Sequence, residues 1–255
     1  MIDLHSHVLP GLDDGPESLD GSLELARAAV AAGTRVMAAT PHVGLRYPVR
    51  PAELAGELAH LREAVARAQI PLDVTGGGEL APSAAADLSV EDLRAIALGA
   101  GSCILLECPF VRVGGLMTAL VTHLQHHGFR VLLAHPERSP EFLPDPAALA
   151  ALVAAGAYVQ ITAASLTGGF GRTARRYSLA LLDAGLVASV ASDAHDAVVR
   201  PPTVLTIVDE VVRSRGLAPA TTRFLTDSAP HALLTDSPVP AAPASARRAR
   251  WTWRR

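Results

Sequence analysis

Met1-Ile-Asp-Leu-His-Ser-His-Val8 opens the chain. The short apolar run reads as a β-strand that delivers His5 and His7 at its end, and residues two apart on a strand point to the same side. The two imidazoles can therefore converge on one point, for which a metal ion is a suitable object. Two surface histidines near a terminus are the plain alternative, and the rest of the chain decides between them.

The same pattern recurs down the sequence. Short apolar runs at residues 36–40, 72–75, 104–106, 131–134, 158–162 and 187–191 read as strands. Helical spacing of apolar residues covers 19–32, 51–69, 116–127, 146–155, 172–184 and 203–215, with a shorter piece at 90–98 and more up to Leu234. Gly33, Gly156 and Gly185 close three of these helices, as a residue needing a left-handed backbone does. Seven strands without polar alternation, separated by helices, are the signature of buried parallel strands. The expected fold is α/β, a closed or nearly closed (β/α) barrel, with an open doubly wound sheet as the alternative.

The ends of the strands favour the barrel. Six of the seven finish in a residue of metal-ligand type: His5 and His7, His42, Glu79, Glu107, His135, then Asp193 with His195. In a parallel barrel the C-terminal strand ends form one mouth, where active sites sit. Singly, each is the polar residue that strand ends often carry. Together, so many carboxylates and imidazoles would repel one another or stay unsatisfied unless cations neutralised them. Mixed nitrogen and oxygen ligation without thiolates suits Mn, Fe or Zn, and the number of ligands exceeds what one ion uses, so two or three ions follow.

Arg138 lies three residues after His135 and Arg200 five after His195. Surface arginines in loops have the same spacing, but beside a multi-metal centre their fork geometry matches phosphate oxygens. Phosphoester hydrolysis is the chemistry this combination supports. A cysteine-nucleophile phosphatase is excluded, since neither Cys103 nor Cys108 has an arginine six residues on.

Composition narrows the field further. The 255 residues are 49% hydrophobic and 18% charged, as in a well-packed globular domain. A net charge of −3 offers no sequence-wide attraction to nucleic acid. There is no lysine at all, which removes P-loop, pyridoxal and Schiff-base chemistry. Two cysteines, no signal-peptide pattern and no long apolar span suggest a cytoplasmic protein.

These residues carry a family resemblance. His5-Ser6-His7, Gly11-Leu12-Asp13-Asp14-Gly15-Pro16, Thr40-Pro41-His42, Glu79, Glu107, His135-Pro136-Glu137-Arg138 and Ser192-Asp193-Ala194-His195 resemble the PHP (polymerase and histidinol phosphatase) superfamily. Within it, the chain is similar to the bacterial manganese-dependent protein-tyrosine phosphatases of capsular and exopolysaccharide operons, the CpsB/YwqE type, from Met1 to about Leu234. The resemblance implies a distorted (β/α)7 TIM-like barrel over residues 1–236 and three ions, usually Mn2+. It also implies nine metal ligands: His5, His7, Asp14, His42, Glu79, Glu107, His135, Asp193 and His195. Asp14 enters only through the resemblance, with Asp13 as a turn or supporting residue.

The implied substrate is a phosphotyrosine on the tail of a bacterial tyrosine autokinase that controls polysaccharide polymerisation. In the implied mechanism a metal-bridging hydroxide attacks phosphorus while Arg138 and Arg200 hold the phosphate. A protonated histidine, His42 or His195, or a metal-bound water assists departure of the tyrosine oxygen. Family members often form rings or dimers.

Two features depart from the pattern. Val43-Gly-Leu-Arg-Tyr-Pro48 replaces a second histidine and its basic, aromatic loop, putting Arg46 and Tyr47 at the entrance. Residues 237–255 form a Pro/Ala/Arg-rich tail ending in five arginines and two tryptophans, read as a solvated end or a contact to membrane-bound polysaccharide machinery. Rival readings are a PHP phosphatase of a small monoester such as histidinol phosphate, an amidohydrolase, a PHP nuclease, and a non-catalytic metal-binding regulatory module. The missing carboxylated lysine disfavours the amidohydrolase, the charge balance the nuclease, and the intact ligand set the regulatory module.

Overall fold

The computed structural model describes residues 1–99 and 101–243; the arginine- and tryptophan-rich end, with the membrane contact expected of it, lies outside the described residues. Elements follow in the order β1 (Ile2–Ser6), α1 (Leu19–Ala31), β2 (Val36–Ala39), β3 (His42–Val43), α2 (Leu54–Arg67), β4 (Asp73–Gly76), β5 (Glu79–Leu80), α3 (Val90–Ala95), β6 (Cys103–Glu107), α4 (Leu116–His126) and β7 (Arg130–Ala134). Then come α5 (Pro146–Ala154), β8 (Tyr158–Thr162), α6 (Ala163–Thr167), α7 (Gly171–Asp183), β9 (Ser189–Ala191), α8 (Leu205–Ser214), α9 (Ala220–Arg223) and α10 (Ala229–Leu234).

Local chemistry explains where the helices start. Ser18 caps α1 by accepting from the Gly21 N–H. Ser89 and Asp92 form a reciprocal capping box on α3, and Asp145 caps α5 ahead of Pro146. The helix expected at 51–69 begins as a 3-10 turn at Pro51–Glu53 and becomes α-helical at Leu54. The short α6, directly after β8, is not visible in the periodicity, being little more than one turn.

All strand pairs are parallel. On β6, β7 and β8 one set of alternate residues (Ile104, Leu106, Val131, Leu133, Val159, Ile161) packs with the helices in the large core. The other set on β6 and β7 (Cys103, Leu105, Leu132, Ala134) packs with Ile2, Leu4, Leu98 and Leu233 in a second buried cluster. Apolar residues are thus needed on both faces, which is why the strands read as unbroken apolar runs.

The ladders do not make one closed sheet. They form a three-stranded sheet, β1-β2-β4, and a six-stranded sheet, β3-β5-β6-β7-β8-β9. The division falls just past the strands expected at 36–40 and 72–75, each of which is followed by a further two-residue strand. Pro41, with no N–H to donate, separates β2 from β3. Gly77 and Gly78 separate β4 from β5, and a Cβ at either would press on Leu98 or on Val43 and Ile96. β1 also lies beside the segment after β9, where the Asp193 N–H donates to His5 O at 2.9 Å and the His7 N–H to Ala194 O at 2.8 Å.

Candidate metal centre

Parallel strands bring their C-terminal ends to one side, and the ligand-type residues come with them. His5 lies on β1 and His7 just beyond it; His42 and Glu79 open β3 and β5; Glu107 closes β6. His135 follows β7 directly, Asp193 and His195 follow β9, and Asp14 arrives from the loop between β1 and α1. All nine fall into four overlapping groups whose ligand atoms lie within 4.8 Å of one another: His7, Asp14, His42 and His195; His5, His7 and Asp193; His5, Glu79 and His135; His42, Glu79 and Glu107.

Unusual backbone puts several of them there. His135 and Asp193 have φ of 38° and 54°, a left-handed region that non-glycine residues seldom enter and that clusters at functional sites. Pro136 then starts a 3-10 turn, Pro136–Arg138, that carries Arg138 back over the site. At Gly15 any Cβ would collide with the His7 carbonyl, so only glycine lets the Asp13-Asp14 turn pass this close to β1.

A ring of supporting contacts orients the imidazoles. Gln160 Oε1, on β8, lies 2.9 Å from His5 Nδ1, and Asp13 Oδ2 lies 2.6 Å from His7 Nδ1 while also accepting the His42 N–H at 2.8 Å. With their Nδ1 protons so engaged, His5 and His7 turn their Nε2 atoms toward each other at 3.3 Å. Two facing lone pairs are repulsive unless a cation or a proton lies near them. The near neighbours of Glu79 Oε2 and His195 Nε2 are themselves ligand-type groups, His42 Nδ1 at 3.0 Å and Asp14 Oδ1 at 3.2 Å. Buried nitrogen and carboxylate donor atoms converging on a common space are the pattern a cation-binding site requires, so the residues present fit metal ions.

Titration follows from the crowding. Glu79 lies 2.8 Å from His135 Nε2, 3.0 Å from His42 Nδ1 and 3.3 Å from His5 Nε2. Burial works to raise its pKa, but His5 charge and the bonds from His135 and His42 outweigh it and hold the carboxyl well below its ordinary value. Burial opposes the charged form of His7 as well, yet Asp13 and Asp193 push it up to about 10. Glu107, with burial and the Glu79 charge both against it, rises to about 7.

Arg138 Nη1 and Arg200 Nη2 both donate to Asp193 Oδ2, at 2.6 and 2.7 Å. Arg200 Nε is buried without a hydrogen-bond partner. Arg138 is further fixed over the Phe170 ring, 4.1 Å from its centroid. Above this floor opens a cavity of about 520 Å³, lined by both arginines and by Asp14, His42, Glu79, Glu107, His135, Asp193 and His195. Its walls are apolar and aromatic. Tyr47 stacks on His42 with centroids 5.3 Å apart, and Phe110 stacks on His135 at 5.6 Å.

Sequence reasoning did not reach Gln160, Glu137 or the walls from β6 onward. Gln160 could have been found, as a polar residue in the middle of an apolar strand. Glu137 accepts from the Thr162 N–H and Ser165 Oγ, tying the His135–Arg138 turn to β8, and burial raises its carboxyl to about 7. Arg46 and Tyr47 do line the cavity.

Residues 1–234 match the family model described as capsular polysaccharide synthesis, CpsB/CapC. The tyrosine-protein phosphatase YwqE of Bacillus subtilis is 38% identical over 201 residues, 78% of this chain and 79% of that protein. The tyrosine-protein phosphatase CpsB of Streptococcus pneumoniae is 25% identical over 231 residues, 88% of this chain and 95% of that protein. A crystal structure from work on YwqE and CpsB, described there as metal-dependent tyrosine phosphatases, superposes with a TM-score of 0.84 at 34% identity, covering 96% of this chain and 100% of the other.

Proposed function

The chain belongs to the CpsB/CapC family of capsular polysaccharide synthesis, and on that premise we propose that it is a metal-dependent protein-tyrosine phosphatase. The observation that carries this reading is the cluster of nine ligand-type side chains, seven of which line the cavity, beside two arginines that share one carboxylate oxygen. Three ions, manganese by preference and iron or zinc as substitutes, would be held by His5, His7, Asp14, His42, Glu79, Glu107, His135, Asp193 and His195. Bound there, they would supply Lewis-acid polarisation of phosphoryl oxygens and a water acidic enough to ionise near neutral pH.

The chain's own residues do the rest. Arg138 and Arg200 present guanidinium donors to the non-bridging oxygens, with Asp193 and Phe170 holding them in place before substrate arrives. Gln160 and Asp13 fix the imidazole orientations, so that ligand directions are set in advance. A ring nitrogen of His42 or His195 not engaged by an ion is assigned to hand a proton to the departing oxygen. That help is small in demand, since a phenol has a pKa of about 10 and leaves more readily than an alkyl alcohol.

The reading extends to architecture and partner. If each interrupted pair, β2 with β3 and β4 with β5, is taken as one strand, seven strands follow in order around a distorted (β/α)7 barrel, with β1 meeting the segment after β9. Residues 1–236 would be the phosphatase unit and 237–255 an appended tail. The substrate would be phosphotyrosine on the tail of a cytoplasmic bacterial tyrosine autokinase, with self-association of the phosphatase a further expectation. Among the described residues no helix is long and apolar enough to cross a membrane.

The test is turnover of a phosphotyrosyl peptide against histidinol phosphate, with added Mn2+ and after chelation. Metal-dependent preference for the peptide is expected. Indifference to chelator would overturn the metal mechanism, and faster turnover of histidinol phosphate would move the substrate to a small monoester.

A further inference from the structure

The walls of the cavity carry more information than the floor. Tyr47 comes from the loop after β3 and Phe110 from the segment after β6, so two different βα connections each bring one aromatic ring to the mouth. Each ring lies almost parallel to a ligand-type imidazole, Tyr47 to His42 at 7° and Phe110 to His135 at 19°. His42 and His135 both contact Glu79, one at each carboxylate oxygen. The two rings therefore stand over the two imidazoles that flank the central carboxylate. Phe110 is 51% exposed, a large value for a phenylalanine that no helix or strand requires to be there.

We infer, on the phosphatase reading above, that Tyr47 and Phe110 are specificity-determining residues that receive the aromatic ring of an aryl phosphate whose phosphoryl group rests on Arg138 and Arg200. The chemistry of the cavity lining is divided. At the floor every group is charged or ligand-like, suited to the phosphoryl end. Outside the floor the lining is mostly apolar or aromatic, with Tyr47, Phe110, Val111 and Pro109 beside the polar Arg46 and Ser83, and its two rings offer a phenyl group stacking partners that a sugar or a polyol phosphate cannot use. Aromatic pairs with centroids about 4.5–7 Å apart contribute roughly 0.5–1.5 kcal/mol beyond area burial, a factor of about 2–12 in affinity for each ring. An alkyl phosphate ester places no ring in this layer and forgoes both contacts.

The test uses full-length, metal-loaded protein and the variants Tyr47→Leu, Phe110→Leu and Tyr47→Phe. For a phosphotyrosyl peptide, KM is expected to rise about two- to twelvefold in each leucine variant and to stay within about twofold in Tyr47→Phe, which keeps the ring. The inhibition constant of inorganic phosphate, which reaches only the floor, is expected to stay put in all three. An unchanged KM in both leucine variants would overturn the inference, as would a phosphate inhibition constant that rises in step with KM. A wild-type protein that does not turn over the peptide at all would reject the phosphatase reading along with it, whereas wild-type turnover with unaltered variants would reject the aromatic walls alone.

Discussion

The floor and the walls of one cavity are built by different parts of the chain under different forces. The floor is made of strand ends: Glu79 and His5 are essentially buried within strands, while His135 and Asp193 reach the site through left-handed backbone just past theirs. The walls are made of loops, with Leu45 82% exposed and Val111 66% exposed. Floor groups are held by charge and hydrogen bonds; wall groups are held by stacking worth little more than thermal energy. Reactivity and selectivity are thus separable in this molecule, and substitutions in the two layers should fail in different ways.

The sharpest way to break that division is at Glu79, which touches His5, His7, His42 and His135. Glu79→Gln is expected to lower kcat on the order of a thousandfold and to reduce bound metal, read by elemental analysis; a variant with full metal content and near-normal turnover would contradict the floor as described. Next come the two arginines proposed to bind phosphate. Arg138→Ala and Arg200→Ala are each expected to cost about 10²–10³ in kcat/KM. Because both share Asp193 Oδ2, the double variant should cost less than the product of the two.

A support should behave unlike a ligand. Gln160→Leu removes the partner of His5 Nδ1, and metal affinity is expected to fall about 10–100-fold, with turnover largely restored by excess metal. If saturating metal restores nothing, Gln160 does more than orient His5. Proton uptake tests the floor's electrostatics. His7 is raised to about 10, so its imidazole holds a proton at pH 8 in the metal-free protein, and the Glu79 and Asp193 charges shift His5 in the same direction, whereas ligation needs the lone pairs. Metal binding at pH 8 should therefore release protons, seen as a binding enthalpy that varies with the ionisation enthalpy of the buffer. The same raised pKa stabilises the metal-free fold below about 6.5, the ordinary histidine value, and that contribution fades as pH climbs toward 10. The smallest effect belongs to the outer rim, where Leu45→Ser should alter KM for a phosphotyrosyl peptide by no more than about threefold.

The floor was largely legible in the sequence because each ligand-type residue follows an apolar run. Burial on both faces makes such a run conspicuous, and the end of a parallel strand is where a polar residue can leave the core. Asp14 was not legible that way, since it reaches the site through a glycine turn whose only local sign is Asp-Asp-Gly-Pro. The division of the ladders into two sheets was hidden too. Pro41 and Gly77-Gly78 were visible as residues, but whether they bend a strand or end it depends on what packs beside them, here Leu98, Val43 and Ile96. Phe110 was unreadable for a simpler reason: a phenylalanine after a strand has no pattern that separates a wall from a core residue.

The interruptions at Pro41 and Gly77-Gly78 bear on how such a molecule can change over generations. Below them, β2 and β4 are joined in unbroken register from Val36–Asp73 to Ala39–Gly76, and they carry the packing. Above them, His42 pairs with Glu79 in a two-residue ladder of its own. The two halves share no ladder, so a change in the His42–Glu79 pair need not alter the register of β2 with β4 beneath it.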